Sequence, residues 1–94
     1  MILLQIEHPV QDFNSWKRVF DSDPANRKAS RVRSYRIFKK IDDANYVIVD
    51  LEFDNIKDAE AMHESLKKFW GRVEGTVIMK PTARIVESVE IFEY

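Results

Sequence analysis

The stretch "DDANYVIVDLEFDN", residues 42–55, decides the fold. Side chains alternate along an extended chain, so Val47, Val49, Leu51 and Phe53 share one face and Tyr46, Ile48, Asp50 and Glu52 the other. The first face is pure core. The second is too apolar for bulk water and too acidic for an ordinary interior, so what covers it must tolerate charge.

Working outward, "VRSYRIFKK" (32–40) precedes this strand, and Asp42, Asp43, Ala44 and Asn45 between the two are turn formers, which predicts a β-hairpin. With Ile41 opposite Tyr46, Phe38 pairs with Val49, Arg36 with Leu51 and Ser34 with Phe53 on the core face. Lys39–Ile48, Ile37–Asp50 and Tyr35–Glu52 then lie on the other face. A connection of three or five residues inverts this parity.

After the strand, Asp54 or Asn55 caps a helix in which Ile56, Ala59, Met62, His63, Leu66, Phe69 and Trp70 recur at helical spacing. Gly71 is its natural stop, although the helix could continue towards Gly75; residues 71–80 receive no assignment. "TARIVESVEIFEY" (82–94) alternates as a last strand. Upstream, residues 2–8 read as a first strand. Asp12 caps a helix carrying Phe13, Trp16 and Phe20 on one stripe, Asp23-Pro24 ends it, and Pro24 opens a short further helix.

The order β-α-β-β-α-β is ferredoxin-like: an α+β domain over residues 1–94, with an antiparallel four-stranded sheet and both helices on one face. Helices can cover only the Val47 face. Tyr46, Ile48, Asp50 and Glu52, together with Leu3, Tyr35 and Ile37, are then left bare. A second copy of the chain packing its own sheet there answers the puzzle, with the acids paired to Arg33, Lys39 or Arg84 or keeping partial access to water; the alternative is a monomer with a wetted sheet.

Ninety-four residues make a single domain, and 15 basic against 16 acidic side chains give a net charge of −1. Near-neutrality removes the footprint of a nucleic-acid binder, and the basic residues from Arg27 to Lys40 read as a solvated face. With no cysteine, thiolate zinc sites, disulfides and cysteine nucleophiles are excluded. "MILLQIEHPV" is too soon interrupted by Gln5, Glu7 and His8 for a signal peptide, and no run is long enough to span a membrane, so a cytoplasmic location is expected.

"HPVQDFNSWKRVFDSDPANR" (8–27) followed by "SYRIFKKIDDANYVIVDLEFD" (34–54) resembles the dimeric α+β barrel proteins related to the antibiotic biosynthesis monooxygenases, and more narrowly small members described as cyclases or monooxygenases. Asp12, Trp16, Phe20, Asp21, Arg27, Asp43, Asn45 and Phe53 carry the resemblance, which extends over nearly the whole chain. It implies a homodimer joined through the sheets and a pocket between helices and sheet in each protomer. That pocket would serve cofactor-independent oxidation of aromatic polyketides or quinols, haem degradation, or plain ligand binding. The haem-degrading branch is expected to carry an Asn near the end of strand one, a Trp on a strand and a His on helix two. This chain offers His8, no strand Trp, and His63.

Three residues are candidates for catalysis. His8 shares parity with Ile2, Leu4 and Ile6 and so faces the helices, while His63 sits on the inner stripe of helix two; either could move a proton. Arg36, in the register above, lies beneath the helices and would hold an enolate or phenolate. Trp16, Phe20, Phe38, Leu66 and Trp70 are the candidate walls for a small apolar or aromatic ligand, although core packing explains the same pattern. Glu60 and His63 supply only half of a carboxylate-bridged metal site, so neither metal nor cofactor is expected. The competing hypothesis is a non-catalytic ligand-binding or structural dimer. A cavity of roughly 300 Å³ or more favours a ligand and a filled interior favours structure.

Overall fold

The computed structural model describes residues 1–73 and 80–94. The elements are β1 (Ile2–Pro9), α1 (Phe13–Asp21), β2 (Ser34–Lys40), β3 (Asp43–Phe53), α2 (Ile56–Val73) and β4 (Thr82–Glu87). The strands form one antiparallel sheet in the order β2-β3-β1-β4. This is the expected ferredoxin-like architecture. No described helix is long and apolar enough to cross a membrane.

The two central strands build the core. Ile2, Leu4, Ile6 and His8 of β1 face Phe53, Leu51, Val49 and Val47 of β3, and α1 and α2 lay Trp16, Ala59, Met62 and Trp70 upon them. Leu4, Val47, Phe53 and Met62 are fully enclosed. Burying a side chain of that size contributes about 1.5–3 kcal/mol.

Both helices begin where the sequence signals it. The Asp12 carboxylate accepts from the Ser15 amide at 2.8 Å, and Asn55 Oδ1 accepts from the Asp58 amide at 2.9 Å. Each cap satisfies an amide that has no partner in the first turn. α1 stops at Asp21, but Pro24 opens no helix. The chain from Asp23 to Arg31 is a series of turns, with Asp23, Asn26 and Arg31 at φ of 56°, 50° and 71°. α2 runs through Gly71 to Val73, and residues 74–79, part of the stretch given no assignment, lie outside the described residues.

The hairpin departs from its expected register. Tyr35 faces Leu51, Arg36 faces Asp50, Ile37 faces Val49, Phe38 faces Ile48 and Lys39 faces Val47, after which Lys40 faces Asp43 across an irregularity. The ladder from Ser34 to Lys39 is thus displaced by one residue and these β2 side chains change face. The parity changes at that irregularity, between Lys39 and Lys40. Lys40 opposite Asp43 closes a two-residue turn, and the step to Lys39 opposite Val47 passes over Ala44, Asn45 and Tyr46; there the Asn45 carbonyl accepts from the Val10 amide at 2.7 Å and its Oδ1 from the Phe13 amide at 3.2 Å.

The last strand is also shorter than expected. It ends at Glu87, where the Ser88 amide donates to the Met1 carbonyl at 3.0 Å. Beyond it Val89, Ile91, Phe92 and Tyr94 are exposed.

Candidate functional site

A cavity of about 70 Å³, partly open to solvent, lies between the helices and the sheet. Ile6, Val49 and Leu51 form its floor. Trp16 and Phe20 from α1 and Met62, Leu66 and Trp70 from α2 form its walls. Each wall residue comes from an apolar stripe repeating at three- and four-residue steps, so the same pattern that closes the core also frames the space. The ring centroids of Trp16 and Phe20 are 5.2 Å apart.

His8 lines this cavity. It is 2% exposed, and its ring lies edge-on to Trp16 with centroids 6.1 Å apart. Nδ1 lies 3.0 Å from the Pro9 carbonyl oxygen. A carbonyl can only accept, so Nδ1 carries the proton in this contact and Nε2 is left as an acceptor. Burial lowers the pKa of His8 below its ordinary value, against a smaller upward pull from the Pro9 carbonyl. A neutral imidazole with an accepting nitrogen is the form a general base requires.

Arg27 also lines the cavity and is the only charged residue of the lining among the described residues. Its Nη1 donates to the Phe20 carbonyl at 2.8 Å and lies 3.4 Å from the Asp23 carboxylate. The guanidinium carbon is 3.9 Å from the Phe20 ring centroid and 5.0 Å from that of Tyr35. Reading the sequence placed Arg27 in a solvated basic face and missed it here. The one local signal was weak: an acid four residues earlier, at Asp23, after a helix end.

The structure brings together His8, Trp16, Phe20, Leu66 and Trp70 of the expected site and leaves out the rest. Arg36 is corrected by the register. It projects from the opposite face of the sheet, with Nη2 3.9 Å from Asp50 Oδ2, and cannot reach a ligand under the helices. Phe38 follows it to that face and is 46% exposed. His63 is half-buried, with its ring centroid 6.3 Å from that of Trp70, and does not line the cavity.

No protein-family model matches the sequence, and neither does any curated protein. Solved structures do match its shape. SnoaB, a cofactor-independent oxygenase from Streptomyces nogalater, superposes with a TM-score of 0.75 at 7% identity, over 99% of this chain and 97% of that one. A dimeric ferredoxin-like protein from an uncultured marine organism gives 0.65 at 12% identity, over the full length of both chains. An antibiotic biosynthesis monooxygenase gives 0.65 at 9% identity, covering 96% of this chain and 100% of that one. The chain has the fold of these monooxygenase-like, ferredoxin-like proteins.

Proposed function

We propose that the chain is a homodimeric α+β barrel that holds a small apolar or aromatic molecule between its helices and its sheet, and that it oxidises this molecule with dioxygen without a cofactor. The observation that carries the reading is the cavity itself. Its walls are apolar, and its buried histidine is held neutral with one nitrogen unclaimed by any described residue. The fold shared with SnoaB and the monooxygenase supports the same class of chemistry.

At about 70 Å³ the space is neither a filled interior nor a full-sized ligand site. An apolar cavity that takes up benzene measures roughly 150 Å³. A single ring therefore requires the walls to give way, and Met62 and Leu66 are flexible side chains suited to that. Ligands of one ring fit this reading best. A one-ring quinol placed against His8 gives a proton to Nε2, and the resulting anion is electron-rich enough to react with dioxygen directly. One oxygen atom enters the ring of the hydroxyquinone product and the other leaves as water. Dioxygen uptake with hydroxyquinone formation is expected, and replacing His8 with Phe should slow it by about a hundredfold or more. Unchanged turnover in that variant would remove His8 as the base.

The open sheet face favours self-association. There Asp50 Oδ1 is buried with no hydrogen-bond partner among the described residues, and Phe38 is exposed. A second sheet packed on this face would bring donors to the carboxylate and cover the ring. The dimeric ferredoxin-like protein of the same shape supports this arrangement. Sedimentation at micromolar concentration should give twice the mass of the chain.

The alternative, a structural or purely ligand-binding dimer, is favoured by the small volume. It predicts ligand binding without turnover, or no binding at all.

A further inference from the structure

Between α1 and β2 the chain holds Arg27 within a series of turns. Three residues other than glycine, Asp23, Asn26 and Arg31, adopt positive φ there. Such conformations persist only where surrounding contacts enforce them. Two of the contacts in this stretch hold the Arg27 backbone: its amide donates to Asp23 Oδ1 at 2.9 Å, and its carbonyl accepts from the Val32 amide at 3.0 Å. Its side chain is fixed as well, by the Phe20 carbonyl and by stacking on Phe20 and Tyr35.

What this holds in place is a cation on the wall of an apolar cavity. Nη1 is occupied, whereas Nε and Nη2 have no hydrogen-bond partner among the described residues. Asp23 offsets part of the charge, but it is the more exposed of the pair, with 36% of its side chain accessible against 17% for Arg27. Its Oδ1 is also engaged by the Arg27 amide. A planar guanidinium presents paired N–H groups suited to a carboxylate or phenolate, and apolar walls strengthen such a contact.

We propose that Arg27 selects the ligand, and that the ligand class is a small aromatic anion, a one-ring carboxylate or phenolate whose charged oxygen rests on the free edge of the guanidinium. The inference rests on the reading that the cavity holds a small aromatic molecule, and it adds the charge that molecule must carry. Arg27 takes the part that the sequence suggested for Arg36.

Benzoate and benzamide test this, since they match in shape and differ in charge. Binding to the whole chain is followed through the indole NMR signals of Trp16 and Trp70, both in the cavity lining. Benzoate should bind about tenfold more tightly than benzamide, the difference expected for a hydrogen-bonded charge. Arg27→Gln should abolish that advantage and leave benzamide unaffected. Arg18→Gln, an exposed arginine on α1, should retain it. Benzamide binding as well as benzoate to the unaltered protein overturns the role of Arg27 and leaves the cavity reading standing. Binding of neither overturns both. The comparison within the unaltered protein decides the matter even if Arg27→Gln does not fold.

Discussion

The two faces of one sheet differ in how they are finished. On the helix side, Leu4, Val47, Val49, Leu51 and Phe53 are sealed under α1 and α2, and a small cavity lined by His8 and Arg27 among others interrupts the packing there. On the other side the same strands present Gln5, Glu7, Asp50 and Glu52 beside Leu3 and Ile48. Arg84 adds contacts to Gln5 at 3.0 Å and Glu7 at 3.5 Å. Pleating alone produces two faces; the residues on each determine whether it is completed within the chain or, as proposed, by a second copy. The difference shows where stability and assembly can be changed separately.

The helix-side face should give the largest effect. Phe53 is fully enclosed between the sheet and the helices. Phe53→Ala should cost about 3–5 kcal/mol of unfolding free energy, measured by chemical denaturation. A cost below 1 kcal/mol would mean that this face is not the core. The opposite face should answer in assembly. Phe38→Asp places a charge where a twin sheet is proposed to pack, and should weaken the dimer by about 2–4 kcal/mol, seen as monomer in sedimentation. The same substitution should leave the fold of the single chain intact, because Phe38 is half exposed there. A variant that still sediments as a dimer would break the proposed contrast between the faces.

A smaller effect belongs to the frame that holds α2 over the cavity. Asn55→Ala removes the acceptor for the Asp58 amide, 2.9 Å away, and should cost about 1 kcal/mol in the same denaturation experiment. No measurable loss would show that the first turn of α2 is held by packing alone.

These faces were legible in the sequence to different degrees, for physical reasons. Alternation in "NYVIVDLEF" and the stripes of Trp16, Phe20, Met62, Leu66 and Trp70 are periodic, so strands, helices and covered face could all be read from spacing. His8 followed from parity with Ile2, Leu4 and Ile6, and the structure keeps it on that face. Arg36 and Phe38 depended on a hairpin register that shifts at an irregularity between Lys39 and Lys40, which no local pattern records. Arg27 was hidden for a related reason. The turns that place it use positive φ at Asp23, Asn26 and Arg31, without the glycine that would have marked them.

The weakest expected effect is the dependence of stability on pH, and it separates the faces through a single residue. His8 is buried on the helix side, and burial lowers its pKa from the ordinary 6.5. The unfolded chain therefore binds a proton at this position at a higher pH than the folded chain does, and stability rises with pH wherever that difference exists. The contribution of neutral His8 is complete above pH 6.5 and is lost progressively as the pH falls from there towards the lowered folded-state value. Denaturation midpoints measured from pH 7.5 down to 5 should show this decline. His8→Phe should flatten it, because a buried apolar ring has no proton to take up. An equal decline in that variant would assign the effect to groups elsewhere and leave His8 as an ordinary exposed titrating residue, contrary to its enclosure beneath Trp16.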